Sequence, residues 1–246
     1  MSDADVVLDV KGISKSYGPV LALDDVSFSL DRNAAMGLVG DNGAGKSTLL
    51  KVLNGYLKPD SGEIVLDGEP VSFDSPQDAA DAGIAMTYQY MALVDKATVW
   101  ENFFMGREMT NSRGPIKTLR KGKMIQQVEA KLDEYGVESL DPRDRVEDLT
   151  GGQKQILSIS RSIESEPDVL MLDEPLTELS RRDRESVIRF VKSLRDQTDT
   201  SIILVSHDLE IVRDLVDDIM ILNEGKKTLS GTPANLSTDE IVEQMV

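Results

Sequence analysis

Gly40-Asp41-Asn42-Gly43-Ala44-Gly45-Lys46-Ser47-Thr48 decides how this chain is read. It fills every fixed position of the phosphate-loop pattern G-x-x-x-x-G-K-[ST]. Ala34-Ala35-Met36-Gly37-Leu38-Val39 before it reads as a short buried strand. Leu49, Leu50, Val52 and Leu53 after it fall on one side of a helix. A loop between strand and helix can turn its backbone N–H groups inward, toward phosphate oxygens at the positive end of the helix. Glycines let the backbone curl that tightly. Lys46 is expected to reach the β- and γ-phosphates, and the Ser47 hydroxyl to ligate Mg²⁺.

Outward from the loop, alternation at Val6–Ile13 and at Leu21–Leu30 predicts two early strands. Glu63–Gly68 predicts another, and Ser75 is placed to cap a helix from Pro76 to Ala82 that ends at Gly83. Ile84–Tyr88 then reads as a buried strand leading to Gln89. From Tyr90 to Thr150 the pattern turns helical, with helices starting at Thr98 and running over Lys123–Tyr135, and a polar loop at Thr110–Pro115. Strands return at Asp168–Glu174, Ser201–Ser206 and Asp218–Leu222, with an amphipathic helix over Glu185–Asp196 between the first two. Apolar strands separated by helices imply a mainly parallel sheet covered on both faces. The expected fold is α/β. Residues 1–89 and 154–246 form the core with an N-terminal antiparallel β part, and 90–153 form an inserted α-helical subdomain.

Ligands collect at the carboxyl ends of parallel strands. Asp173 and Glu174 end one such strand, so Asp173 is expected to hold Mg²⁺ directly or through water. Glu174 is expected to orient, or take a proton from, the water attacking the γ-phosphate. His207, the only histidine, ends another strand. Its imidazole could donate to the γ-phosphate or hold that water; by itself it could equally be a capping or surface histidine. Leu149-Thr150-Gly151-Gly152-Gln153 precedes an apolar helix, which makes it a helix cap or a second anion site.

Composition limits the partners. The chain has 246 residues, 40% hydrophobic and 29% charged, which is ample for a core. It has no cysteine, so neither disulfides nor a thiolate metal site. A formal charge of −17 argues against nucleic acid as a partner. No run of about 18 apolar residues occurs. Met1–Asp5 lacks the basic and apolar regions of a signal peptide, so cytosolic residence is expected.

In this order, the motifs resemble those of ATP-binding-cassette (ABC) ATPases over nearly the whole chain, on a P-loop NTPase core. The resemblance implies ATP and Mg²⁺. It assigns Tyr17, Gly40, Asn42, Gly43, Gly45, Lys46, Ser47 and Thr48 to the nucleotide, and Ser47, Gln89 and Asp173 to Mg²⁺. It assigns Glu174, His207 and the lid residue Gln89 to catalysis. It also implies a head-to-tail homodimer in which Thr150, Gly151, Gly152 and Gln153 meet the partner's ATP. Thr150 replaces the usual Ser and keeps the hydroxyl. Ser180 stands where the family usually has Asp, which bears on communication between the two sites.

Phe73–Ile84, Val99–Glu108 and Leu236–Val246 are similar to ATPases of simple-sugar importers. Many of those carry two cassettes per chain, whereas this sequence carries one. The resemblance implies a subunit at the cytoplasmic face of the cell membrane. It would be held there by integral-membrane permease subunits and act indirectly with an extracytoplasmic solute-binding protein. Import of another solute, such as a nucleoside or amino acid, and a non-transport ABC ATPase are the alternatives.

Overall fold

The computed structural model describes residues 6–88, 91–113, 116–137 and 139–245. The elements run β1 (Val6–Tyr17), β2 (Val20–Asp31), β3 (Ala35–Val39), α1 (Lys46–Leu53), β4 (Ser61–Leu66), β5 (Glu69–Val71), α2 (Pro76–Asp81) and β6 (Ile84–Thr87). Next come α3 (Val99–Phe103), β7 (Thr110–Arg113), β8 (Ile116–Leu119), α4 (Lys121–Glu134) and α5 (Gly151–Ile163). The chain closes with β9 (Val169–Asp173), α6 (Arg181–Gln197), β10 (Ser201–Val205), α7 (Leu209–Leu215), β11 (Asp218–Asn223), β12 (Lys226–Gly231) and α8 (Thr238–Met245).

Contacts divide the chain into two units, and the first comprises residues 1–89, 165–175 and 198–246. It holds a six-stranded sheet in the order β12-β11-β3-β10-β9-β6. The five strands from β11 to β6 are parallel, and β12 returns antiparallel along β11. Every residue of β3 and β10 is buried, as expected when both faces of a parallel sheet are covered. A second sheet, β2-β1-β4-β5, is antiparallel. Side chains of both sheets and of α1 join in one apolar cluster. Leu49, Leu50, Val52 and Leu53 of α1 are each at most 1% exposed within it. At roughly 1.5–3 kcal/mol per buried aliphatic side chain, this packing anchors the helix that follows the phosphate loop.

The second unit comprises residues 90–164 and 176–197. The buried faces are Met124, Ile125, Val128 and Leu132 on α4, and Val187, Phe190, Val191 and Leu194 on α6. Tyr135 and Phe190 meet edge-to-face with ring centroids 6.0 Å apart. The sequence division at 153/154 left α5 and α6 to the core. Contacts place both in the helical unit, because they pack against each other and α5 also packs against α3.

Several elements depart from the sequence expectation. The polar loop at 110–115 is in part strand, since β7 pairs antiparallel with β8; ladder hydrogen bonds organise a stretch that has no apolar alternation. The strand at Asp218–Leu222 is not the last, because Asn223-Glu224-Gly225 turns the chain into β12. Neither β5 nor α8 was anticipated. α6 begins at Arg181 rather than Glu185: its first turn is polar, so apolar periodicity starts late. The cap at Ser75 is as expected, with its side chain accepting from the Asp78 N–H.

Gly37, in the middle of β3, lies where α7 crosses the sheet: a Cβ there would stand 2.4 Å from Val212 Cγ1. Replacing Gly37 with Ala should cost about 1–3 kcal/mol through overpacking, read as a lower urea midpoint; an unchanged midpoint would show that α7 does not need this close approach.

Candidate nucleotide site

Three adjacent parallel strands, β3, β10 and β9, end on the same edge of the sheet. Gly40–Lys46 follows β3, Ser206 and His207 follow β10, and Asp173 and Glu174 close β9. Topology therefore gathers residues that lie up to 167 positions apart in sequence (Gly40 to His207). This edge is where ligands bind in open α/β sheets.

The loop depends on two glycines for close backbone approach. Gly40 has φ +157°, and a Cβ there would stand 2.1 Å from the Leu222 carbonyl oxygen. Gly45, at φ +105°, precedes α1, and its Cβ would stand 2.6 Å from the Ala22 carbonyl oxygen. The Gly225 N–H donates to the Ala44 carbonyl (3.0 Å), and the Asp24 N–H donates to the Gly225 carbonyl (2.9 Å). The loop is thus held from behind by the backbones of β2 and of the β11–β12 turn. Asp41, Asn42 and Gly43 are exposed, and Ser47 is exposed in the first turn of α1.

Lys46 Nζ donates to the carbonyls of Gly40 (2.6 Å) and Asp41 (2.9 Å). Burial holds its pKa below the usual lysine range, while the charges of Glu174, Asp41 and Asp173 oppose that shift. Asp173 is pushed above the usual carboxylate range, chiefly by burial and then by the charge of Glu174, with Lys46 and Lys51 opposing. Excess negative charge at the strand end is relieved by cations.

Glu174 has φ +48°, a left-handed conformation rare for a side chain of its size. Such a residue stores of order 1–3 kcal/mol of strain. Its N–H donates to the Val205 carbonyl at 3.0 Å, so β10 holds the strained turn. His207 Nδ1 lies 3.1 and 3.0 Å from the two carboxylate oxygens of Glu174. A carboxylate only accepts, so Nδ1 carries the hydrogen of this pair. Sequence reasoning set these two residues on separate strands; the sheet joins them.

In the helical unit, Thr150 caps α5. Its Oγ1 accepts from the Gln153 N–H (3.3 Å), and its N–H donates to Gln153 Oε1 (2.9 Å), a capping box. Gln153 Nε2 also donates to the Ser139 carbonyl. Gly151 is exposed and Gly152 buried. Tyr17 is 47% exposed at the end of β1. Gln89 lies outside the described residues. One functional candidate escaped the sequence reading: the Asp183 carboxylate accepts from the Thr150 hydroxyl at 2.7 Å. The spacing Ser180-x-x-Asp183 ahead of a helix was the available signal.

The sequence model described as ABC transporter matches residues 23–177. A putative ribose/galactose/methyl galactoside import ATP-binding protein of Agrobacterium fabrum is 36% identical over 244 residues, 99% of this chain and 47% of that protein. The chain thus spans about half the length of several curated relatives it matches. A xylose/arabinose import ATP-binding protein of Sulfolobus acidocaldarius is 34% identical over 245 residues, with 94% of its length covered. Among solved structures, CbiO1 of Clostridium perfringens, described as part of the ABC transporter complex cbiONQ, aligns with a TM-score of 0.81 at 27% identity. That alignment covers 97% of this chain and 94% of that one. With the phosphate loop, the strand-end acids and their histidine on one sheet edge, and the family match running from β2 through the acids, the chain belongs to the ABC transporter family as one of its ATP-binding cassettes.

Proposed function

We propose that this cassette binds and hydrolyses ATP to drive import of a simple sugar, as an ATP-sandwiched homodimer on membrane permease subunits. The observation that carries the hydrolytic part is the His207–Glu174 pair at the strand end, beside a phosphate loop whose lysine feels the charge of Glu174. A subunit that only bound nucleotide would have no use for a strained carboxylate held by an imidazole. The sugar reading rests on the names of the relatives, which are import proteins for ribose, galactose or xylose/arabinose. No described helix is long and apolar enough to cross a membrane.

In the proposed mechanism the phosphates of ATP accept from the N–H groups of Gly43, Gly45, Lys46 and Ser47 at the start of α1, the Ala44 N–H being held by the Asp41 carbonyl. Lys46 leaves the Gly40 and Asp41 carbonyls and turns its ammonium to the β- and γ-phosphates. Its donors are already aimed into the loop, so the exchange costs little reorganisation. The Glu174 carboxylate aligns the attacking water and accepts its proton. His207 fixes the rotamer of Glu174 through Nδ1 and leaves Nε2 facing the reacting phosphate. Tyr17 stacks on the adenine, and Gln89 couples the γ-phosphate to the helical unit. In the sandwich, Thr150, Gly151, Gly152 and Gln153 of one copy meet the nucleotide of the other.

Among the described residues, no group of three or more His, Cys, Asp or Glu is placed to hold a metal alone. Mg²⁺ suits such a site, because it takes one or two protein ligands together with substrate phosphates. Ser47 and Asp173, with Gln89, would hold it, and it would neutralise charge on the phosphates.

Replacing Glu174 with Gln should leave ATP binding intact, lower kcat by about 10²- to 10⁴-fold, and accumulate an ATP-bound dimer; turnover near wild type would remove Glu174 from the reaction. For Lys46→Ala, nucleotide titration should show at least a tenfold loss of affinity, and an unchanged Kd would contradict the loop assignment. Pull-down of the tagged chain from detergent-solubilised native membranes should recover a polytopic protein and a sugar-binding protein. Recovery with ribosomal or DNA-repair proteins instead would overturn the import reading and leave the ATPase chemistry standing.

A further inference from the structure

Two positions where this chain departs from its family's pattern, Thr150 and Ser180, bond to the same carboxylate. Thr150 Oγ1 donates to Asp183 Oδ1 at 2.7 Å. Ser180 Oγ donates to Asp183 Oδ2 at 2.7 Å, while accepting the Asp183 N–H at 3.2 Å. The Gly152 backbone lies beside the same carboxylate. All four residues belong to the helical unit. Asp183 lies so close to the start of α5 that a Cβ on Gly152 would stand 2.8 Å from its Oδ1 and 2.7 Å from its own Cβ.

A hydroxyl has one hydrogen to give. The oxygen of Thr150 already accepts from Gln153, and its single hydrogen is committed to Asp183. The carboxylate also sits directly against Gly152 in the first turn of α5, where the orphan N–H groups of the helix start lie. The anion seat that a partner's ATP would use is therefore filled by an anion from the chain itself. Ser180 keeps that anion in place by holding its second oxygen.

We infer that Asp183 is an internal stand-in for the γ-phosphate, an autoinhibitory carboxylate that the partner copy's nucleotide must displace before the sandwich closes. This rests on the homodimer reading above. Closure then exchanges one acceptor for another: the Thr150 hydrogen leaves the carboxylate for a phosphate oxygen, and Asp183 must swing clear because two anions cannot share the seat. The device sets a threshold. ATP bound in one copy closes the dimer only at a concentration that outcompetes the internal carboxylate. It also gives the Asp-to-Ser departure at position 180 a role, since the Ser180 hydroxyl orients Asp183 toward Thr150.

The test uses the Glu174→Gln chain, with ATP-dependent dimerisation followed by light scattering, alone and combined with Asp183→Asn or Asp183→Ala. ATP affinity of the monomer is measured separately with a fluorescent analogue. Both Asp183 variants should dimerise at about 5- to 20-fold lower ATP, less than the full worth of a charge-assisted hydrogen bond because the seat is partly exposed. Monomer affinity should not change. If Asp183→Ala loosens the start of α6, Asp183→Asn decides, since Asn keeps the shape and the Ser180 cap while losing the charge. Dimerisation at unchanged or higher ATP in folded Asp183→Asn would overturn the inference and leave the homodimer intact. Failure of all three chains to dimerise would overturn the homodimer reading and the inference with it.

Discussion

The packing of the phosphate loop against the backbone behind it is the constraint on which the rest depends. Gly40 and Gly45 bring the loop within van der Waals contact of the Leu222 and Ala22 carbonyls, where any side chain would collide. That contact ties three parts of the chain together: the early antiparallel hairpin, the first parallel strand and the last strand pair. With its back against protein, the loop has one open side, and α1 directs donors toward it. The buried leucines of α1 then lock the helix to both sheets. A site built this way is preorganised, so ligand binding need not pay for ordering the loop.

Charge organises the chemistry at the same edge. Lys46 is partly desolvated, and two carboxylates at the end of β9 oppose the loss of its charge. Asp173 in turn is disfavoured as an anion by burial and by Glu174. Neither balance is fully satisfied by the protein alone. In the proposed function, nucleotide phosphates would answer the charge of the lysine and an accompanying cation that of the acids. The strained backbone of Glu174 fits this account, because its carboxylate meets the imidazole that follows the neighbouring strand.

The helical unit applies the same principle at a second helix start. There the chain supplies its own anion, Asp183, on the first turn of α6. Thr150 joins the start of α5 to Asp183 of α6 through a hydrogen bond that uses the hydroxyl's only hydrogen. Such contacts are replaceable, because an incoming phosphate offers an equal acceptor, whereas the apolar contact of Tyr135 with Phe190 is not.

Sequence alone determined the α/β class, the glycine loop between strand and helix, the strand that ends at Asp173 and the capped start of α5. In each case the cause is local: glycine conformations, alternation along a strand, or a hydroxyl next to orphan N–H groups. It did not reveal β5, the β7–β8 hairpin, β12 or α8, whose residues are too polar or too few for periodicity to register. The true start of α6 stayed hidden for the same reason, and with it the role of Asp183. Only the tertiary structure decided which distant residues meet: His207 with Glu174, and Thr150 with Asp183 and Ser180. Strand order and helix packing set those pairings, and neither is encoded within the few residues whose spacing a sequence pattern can read.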